Sequence, residues 1–528
     1  MPITRRELFR SLGGLYAWAA LPELTGCADD RAGAAPQGVG SDGSEHAFLH
    51  GVASGDPLPD AVMLWTRVTP RAGADRVAVD WEVASDLDFG EIVASGQLET
   101  SAERDFTVKV DADGLEAGSI YYYRFSAGEV VSPIGRTRTA VSGTADRLRF
   151  AVVSCSSYAH GYFHAYRSIS ERLDLDAVIH LGDYIYEYGT GEYGKVRAYE
   201  PSHEILSLSD YRQRYAQYRR DPDLQLAHQQ LPWITVWDDH EIANNTWTDG
   251  AENHNPGEGD FAARKAAAQQ AYAEWMPIRE PEEGRVFRRF GFGDLADLIM
   301  LDTRDWGRQE QVMSDDDPAL SDPERTLLGH DQEAWLAQQL TASSAQWRLI
   351  GQQIMLGRFP IGSAPDMWAG YPAARKRMLD QLRAAGDSVV LTGDVHSSWA
   401  MNVIDEPFDP NQYDPETGEG SIAVEFVTPG VTSPLFEKAS GEPLQAQYLG
   451  EPHIEYVQLW RRGYMVLDVD RERVQAAWYH YDAVEDPDPV EPTFAAAAAA
   501  YSGERRVRME ANAAPAREPF ADAAPARA

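Results

Sequence analysis

The stretch "DAVIHLGDYIYEY", Asp176 to Tyr188, begins as a core strand and ends as something else. Ala177 to Leu181 is a short apolar run, the pattern of a buried strand. Gly182 then interrupts it, Asp183 sets a carboxylate at the strand's carboxyl end, and tyrosines follow at 184, 186 and 188. Upstream, "RLRFAVVSC" (Arg147–Cys155) reads as another strand and "YFHAYRSISERL" (Tyr162–Leu173) has helical spacing. Strand, helix and strand make a β-α-β unit, which points to an α/β domain with a partly parallel sheet.

Further core-type strands follow in "WITVWDDHE", "LADLIMLDTRD", "WRLIGQQIM", "SVVLTGDVHSSW" and "IAVEFVTPG". Helical stretches such as "DFAARKAAAQQAYAEWM" and "DQEAWLAQQLTAS" lie between them, and "YMVLDVD" with "RVQAAWYHY" reads as a terminal hairpin. This α/β domain is expected over residues 147–490. Before it, residues 47–140 show short alternating runs, "AVMLWTRV", "VAVDWEVA", "EIVASGQLE", "FTVKVD" and "YYYRFSAG", separated by turn formers. That spacing predicts an all-β sandwich, and "LEAGSIYYYRFSAG" resembles the tyrosine-bearing corner of fibronectin-III-like modules. The Ala-rich tail, residues 491–528, has little to bury and is expected to carry one helix at most, with disorder towards its end.

The first 27 residues read as an address. Paired arginines in "TRRELFR" precede "SLGGLYAWAALPEL", which is too short and interrupted to span a bilayer, and "LTGC" ends the segment as a lipoprotein processing box does. A twin-arginine leader, cleavage before Cys27 and lipidation of that cysteine are the expectation, giving a periplasmic or cell-surface protein anchored by lipid. Residues 28–46, rich in Gly, Ala and Asp, would be a flexible tether. The only other cysteine is Cys155, so lipidation of Cys27 leaves no intramolecular disulfide. The formal charge of −36 and pI near 4.7 argue against nucleic acid as a stable partner.

Four strands finish in metal-binding residue types: Cys155; Asp183 with Tyr186; Asp238, Asp239, His240 and Glu241; Asp394 with His396. Ligands collect at the carboxyl ends of strands in α/β sheets because the loops converge there. Singly, such groups are helix caps, satisfied histidines or small hydrophobes. Together, so many carboxylates at one sheet edge would be costly without cations to neutralise them. A thiolate, an imidazole, a phenolate and a carboxylate suit Fe3+ better than Zn2+, which seldom takes tyrosine. The remaining oxygen ligands suit a hard divalent ion such as Ca2+. Asp183, between the two groups, is placed to bridge two ions.

The motifs "GDxxY", "DDHE" and "GDVH", with "FLHGVASGDPLPDAVMLWTRV", "VSCSS", "LDTRDW" and "EFVTPGVTSP", resemble the alkaline phosphatase D (PhoD-type) family of the binuclear metallophosphoesterases. The resemblance runs over nearly the whole chain after the leader. It implies a four-layer αββα catalytic domain preceded by the β-sandwich, and hydrolysis of small phosphate mono- or diesters by a metal-bound hydroxide at an Fe/Ca centre. Carried over, Cys155, Asp183, Tyr186 and His396 would hold iron. Asp183, Asp239 and Asp394 would hold calcium, with the amide of Asn244 or Asn245, and Zn2+ or Mn2+ stay open at either position. His240 would approach the phosphoryl group, with Asp183 and His240 as the catalytic pair. Arg304 either positions phosphate or forms a structural salt bridge. The rival reading is a non-catalytic, lipid-anchored, metal-binding surface protein; oligomeric state stays open.

Overall fold

A computed structural model describes residues 46–358 and 364–525 of the chain. The expected leader, Cys27 and nearly all of the tether lie outside the described residues. Among them, no helix is long and apolar enough to cross a membrane.

Two large sheets dominate. The first has ten strands, in the order Val507–Glu510, Thr493–Tyr501, Arg473–Tyr481, Arg462–Asp470, Arg147–Val153, Ala177–His180, Pro232–Thr235, Val52–Gly55, Ala61–Arg67 and Thr107–Asp113. Its centre is parallel: Arg147–Val153, Ala177–His180 and Pro232–Thr235 run side by side in one direction. The second has seven strands, with Ala296–Met300, Trp347–Gln352, Ser388–Thr392 and Ala423–Val427 parallel to one another.

Strand alternation tells how the second sheet is buried. Leu298, Leu349, Val389 and Leu391 point into the large core shared with the first sheet. Their neighbours Ile299, Ile350 and Val390 instead meet Leu336, Leu340, Leu379 and Leu382 of the helices Gly329–Ala342 and Pro372–Ala385. A strand buried on both faces reads as a continuous apolar run, which is why these segments look alike in sequence. Helices Leu208–Tyr218, Pro222–Gln230 and Phe261–Trp275 place Tyr215, Leu224, Ala271 and Trp275 in the large core. Their starts are locally encoded: Ser207 and Asp210 close a capping box, and Asp221 caps Asp223 and Leu224 ahead of Pro222.

One expectation gains a structural detail and another needs correction. The expected division near residue 140 is crossed by one sheet: Val52–Gly55 pairs in parallel with Pro232–Thr235. Three strands from the first 113 residues thus extend the ten-stranded sheet, while a separate five-stranded sheet, Arg76–Ala84, Ile92–Ser101, Ile120–Ala127, Val130–Val131 and Gly135–Arg138, packs on them through Val62, Leu64, Val79, Val108 and Tyr123. The close approach requires glycine at 55, where a Cβ would fall 2.2 Å from the Pro277 carbonyl oxygen and 2.5 Å from that of Trp233.

The correction concerns the tail. "TFAAAAAAY" forms a strand, not a helix or a disordered segment, paired on both sides by Arg473–Tyr481 and Val507–Glu510. Alanine's helix propensity is a weak local preference, and burial overrides it. Ala496, Ala498 and Ala500 lie in the large core, in register with Trp478, Ala476 and Val474, where small side chains fit beside a large ring. The last described residues are also fixed. Gln230 exchanges two hydrogen bonds with the Ala524 backbone, at 2.8 and 2.9 Å. Tyr122 donates to the Asp522 carbonyl, and the Arg138 guanidinium lies 3.4 Å from the centre of the Phe520 ring.

Candidate metal centre

The carboxyl ends of the parallel strands of both sheets meet at one place. Cys155 follows Arg147–Val153, Asp183 follows Ala177–His180, and Asp238 to His240 follow Pro232–Thr235. Arg304, Asp394 with His396, and Ser433 follow strands of the other sheet. Backbone bonds tie the edges together: Cys155 N–H donates to the Gly182 carbonyl at 3.1 Å, Val431 N–H to Ser154 at 3.0 Å, and Gly430 N–H to His396 at 2.8 Å. Gly182 permits the crossing, since a Cβ there would lie 2.4 Å from both the Cβ and the amide nitrogen of Asp238.

Local strain is concentrated here. Cys155, Asp183, Asn245, Asp394 and His396 all have φ between 53° and 60°, and these are five of the ten described non-glycine residues with positive φ. Each such residue costs roughly 1 kcal/mol or more, and the cost persists where surrounding structure fixes the backbone and function uses it.

Donor atoms of Cys155, Asp183 and His396 lie within 4.8 Å of one another, and so do those of Asp183, Asp239 and His240, and of Asp238, Asp239 and Asp394. Asp183 belongs to the first two sets. The Tyr186 hydroxyl donates to Asp183 Oδ2 at 2.9 Å, lies 3.4 Å from His396 Nε2, and meets Ser433 Oγ at 2.6 Å. His396 Nδ1 donates to the Pro434 carbonyl at 2.9 Å, which leaves Nε2 as the unprotonated nitrogen, with its lone pair free for a cation, on the side of Asp183 and Tyr186.

The chemistry of these groups fits cations. Asp183 Oδ1, Asp238 Oδ2 and the amide oxygens of Asn244 and Asn245 are buried with no hydrogen-bond partner among the described residues. An unpaired buried oxygen of this kind is costly unless an ion satisfies it. Both amides turn their nitrogens to Glu252, so both oxygens are free to coordinate. Burial and neighbouring carboxylates push Asp238 and Asp239 up and Asp394 up to about 7. Burial and the Asp183 charge push the Cys155 thiol and Tyr186 phenol well above their usual values. A bound cation reverses that balance and favours the deprotonated, ligating forms.

Arg304 is fully buried. Its guanidinium bonds Asp238, Asp366 and Asp394, with Asp239 at 3.7 Å. Its place is that of an internal counter-ion holding carboxylates in position. Three contributors escaped the sequence reading because their partners are remote in the chain. Asp366 joins Arg304 to Arg308; Ser433 meets Tyr186 across 247 positions; Glu187 accepts from His240 Nδ1 at 2.7 Å, from Asn244 N–H at 2.8 Å and from Asn253 at 2.8 Å. Glu187 alone carried a signal, as an acid among the tyrosines of "DYIYEY". Asp238, seen at its strand end but left out of the ligand set, lies beside Asp239 and Asp394.

Burial disfavours a charged His240, but Glu187, Asp239 and Asp183 outweigh it and raise its pKa well above the usual imidazole value. Glu187 thus orients His240 through Nδ1 and favours its protonated form. Replacing Glu187 with Gln is expected to lower kcat by about 10- to 100-fold while metal content, read by elemental analysis, stays unchanged. Loss of metal in parallel with activity would show that Glu187 supports the ligands instead.

Acidic ligands at strand ends, a thiol, a phenol and a partnered histidine define a metal-dependent phosphoric ester hydrolase when set beside known proteins. The sequence pattern described as "PhoD-like phosphatase" matches residues 150–478, and that of the "PhoD-like phosphatase, N-terminal domain" matches residues 33–141. The chain belongs to the PhoD-like phosphatase family. It is 40% identical over 477 residues to alkaline phosphatase D of Bacillus subtilis (strain 168), covering 84% of this chain and 79% of that protein. A solved structure of PhoD superposes with a TM-score of 0.80 at 36% identity, covering 89% of this chain and 93% of that one. The family match over residues 150–478 spans every group of this centre, so the chain is an enzyme of phosphoester hydrolysis and the non-catalytic reading falls.

Proposed function

We propose that the chain is an exported alkaline phosphatase and phosphodiesterase that works with ferric iron and calcium. Cys155, Asp183, Tyr186 and His396 would hold the iron. Asp183, Asp239 and Asp394 would hold calcium, joined by Asp238 and by the amide oxygen of Asn244 or Asn245. The observation that carries this reading is Asp183, whose Oδ2 faces Tyr186 and His396 while its buried Oδ1 has no hydrogen-bond partner among the described residues. When bound, the cations supply the positive charge that draws in a phosphate and acidify a water to serve as nucleophile.

The protein's own part is orientation. Asp183 fixes the spacing of the two positions. Arg304 pairs with both Asp238 and Asp394 and offsets part of their mutual repulsion. His240, charged and aimed by Glu187, donates to a phosphoryl oxygen or to the leaving oxygen as charge builds there. The two sheets, with helices on their outer faces, would be the catalytic four-layer αββα arrangement, and the five-stranded sheet with its partner strands the fibronectin-III-like module. The leader would direct twin-arginine export, with Cys27 lipidated at the periplasmic or cell-surface side; a Cys27→Ala chain that stays membrane-bound would refute the anchor.

The test is turnover of phosphate mono- and diesters by protein loaded with iron and calcium, alongside elemental analysis. Tyrosinate and thiolate on ferric iron give a visible charge-transfer band. Tyr186→Phe is expected to shift that band, and Cys155→Ala to lose most of the iron with calcium retained. A colourless, fully active zinc protein would remove the iron assignment and leave the hydrolase.

A further inference from the structure

Beside His240 the tyrosines of the opening motif continue outward as a stack. The ring centres of Tyr186 and His240 are 4.3 Å apart, and Tyr193 lies 5.4 Å from Tyr186 at an interplanar angle of 22°. Tyr188 lies 4.7 Å from Tyr193 at 32°, and 5.5 Å from His240. Tyr186 and His240 are buried, whereas Tyr188 and Tyr193 are half-buried. Neither outer phenol has a hydrogen-bond partner among the described residues. The loop carrying Tyr193 is held in place: Val196 N–H donates to the Ala159 carbonyl at 2.8 Å, and Arg197 bonds the Tyr158 carbonyl at 3.0 Å and Asp221 at 2.6 Å.

We infer that Tyr188 and Tyr193 form a specificity wall that receives the organic group of the ester, and that this wall selects a neutral, planar aromatic group. The inference rests on the phosphate site proposed above. A phosphoryl group beside His240 would set its organic substituent next to Tyr188 and Tyr193, whose ring centres lie 5.5 and 6.0 Å from the imidazole. Nearly parallel rings stepping to the surface extend by stacking, which favours flat π systems over branched or aliphatic groups. The acidity of the chain, −36 overall, disfavours substituents with further negative charge.

Binding of phenylphosphonate and methylphosphonate to the full chain loaded with iron and calcium, measured by calorimetry, tests this without requiring turnover. Wild type is expected to prefer the phenyl compound by about tenfold. Tyr193→Leu should bring the ratio close to one, and Tyr193→Phe, which keeps the ring, should preserve it. In turnover, Tyr193→Leu should raise KM for phenyl phosphate relative to glycerol phosphate with kcat little altered, because the wall binds ground and transition states alike. A preference that survives in Tyr193→Leu, vanishes equally in Tyr193→Phe, or is missing from wild type overturns the wall. Phosphonate preference without hydrolysis of either ester would instead overturn the phosphatase reading and leave the wall standing.

Discussion

Asp183→Asn lowers phosphate ester turnover by on the order of a thousandfold, the scale seen when a preorganised electrostatic group is removed from an active site. The size follows from position. Asp183 is shared by the thiol–imidazole group and by the Asp239–His240 group, so one substitution weakens both. The fold should survive it. Asp183 has φ 58°, and asparagine tolerates that left-handed conformation better than most residues. The backbone contacts of residue 183, N–H to Glu241 at 3.0 Å and carbonyl from Ser156 at 2.8 Å, do not involve the changed atoms. The metal-free variant is therefore expected to melt no lower than metal-free wild type. Wild type should gain about 2.7 kcal/mol when a cation is present at a hundred times its Kd, and the variant should gain little. Turnover and both metals retained in the variant would mean that Asp183 does not join the two positions.

Ending the chain at Val490 is the second large perturbation. It removes the strands Thr493–Tyr501 and Val507–Glu510 and the clasp from Ala524 to Gln230. Arg473–Tyr481, with Trp478 and Ala476 in the core, then becomes a long open edge. Such edges template aggregation, so the shortened chain is expected to accumulate in the insoluble fraction. Ala498→Leu provides a milder measure, because overpacking a filled site costs about 1–3 kcal/mol. A helical or disordered tail would tolerate both changes, and a soluble, active 490-residue chain would refute the strand's contribution.

The contrast between the tail and the site shows what sequence can carry. Asp183, Asp394 and His396 were legible because each follows an unmistakable apolar strand, and sheet geometry brings such ends together. The hairpin Arg462–Asp470 with Arg473–Tyr481 was legible from alternation and a short turn. The alanine strand was not, since its side chains have no periodicity and their preference is for helix; only the neighbouring Trp478 and Val474 make a strand of them. Glu187, Ser433 and Asp366 were hidden for another reason. They act on residues 53, 247 and 62 positions away, and no local pattern announces a partner at that distance. The shared sheet escaped too, because Val52–Gly55 is four residues long and its partner strand lies some 180 positions on.

That shared sheet bears on how a substrate enters. Val52–Gly55 runs beside Pro232–Thr235, the strand that delivers Asp238, Asp239 and His240. The first module is thereby part of the same rigid beam as the catalytic edge. Swinging one module away from the other would break ladder bonds worth about 1 kcal/mol each and disturb the ligands directly. A hinge between modules is thus a poor gate: an ester has to enter across the strand-end loops, past the fixed loop that lays Tyr193 over Tyr186 and His240.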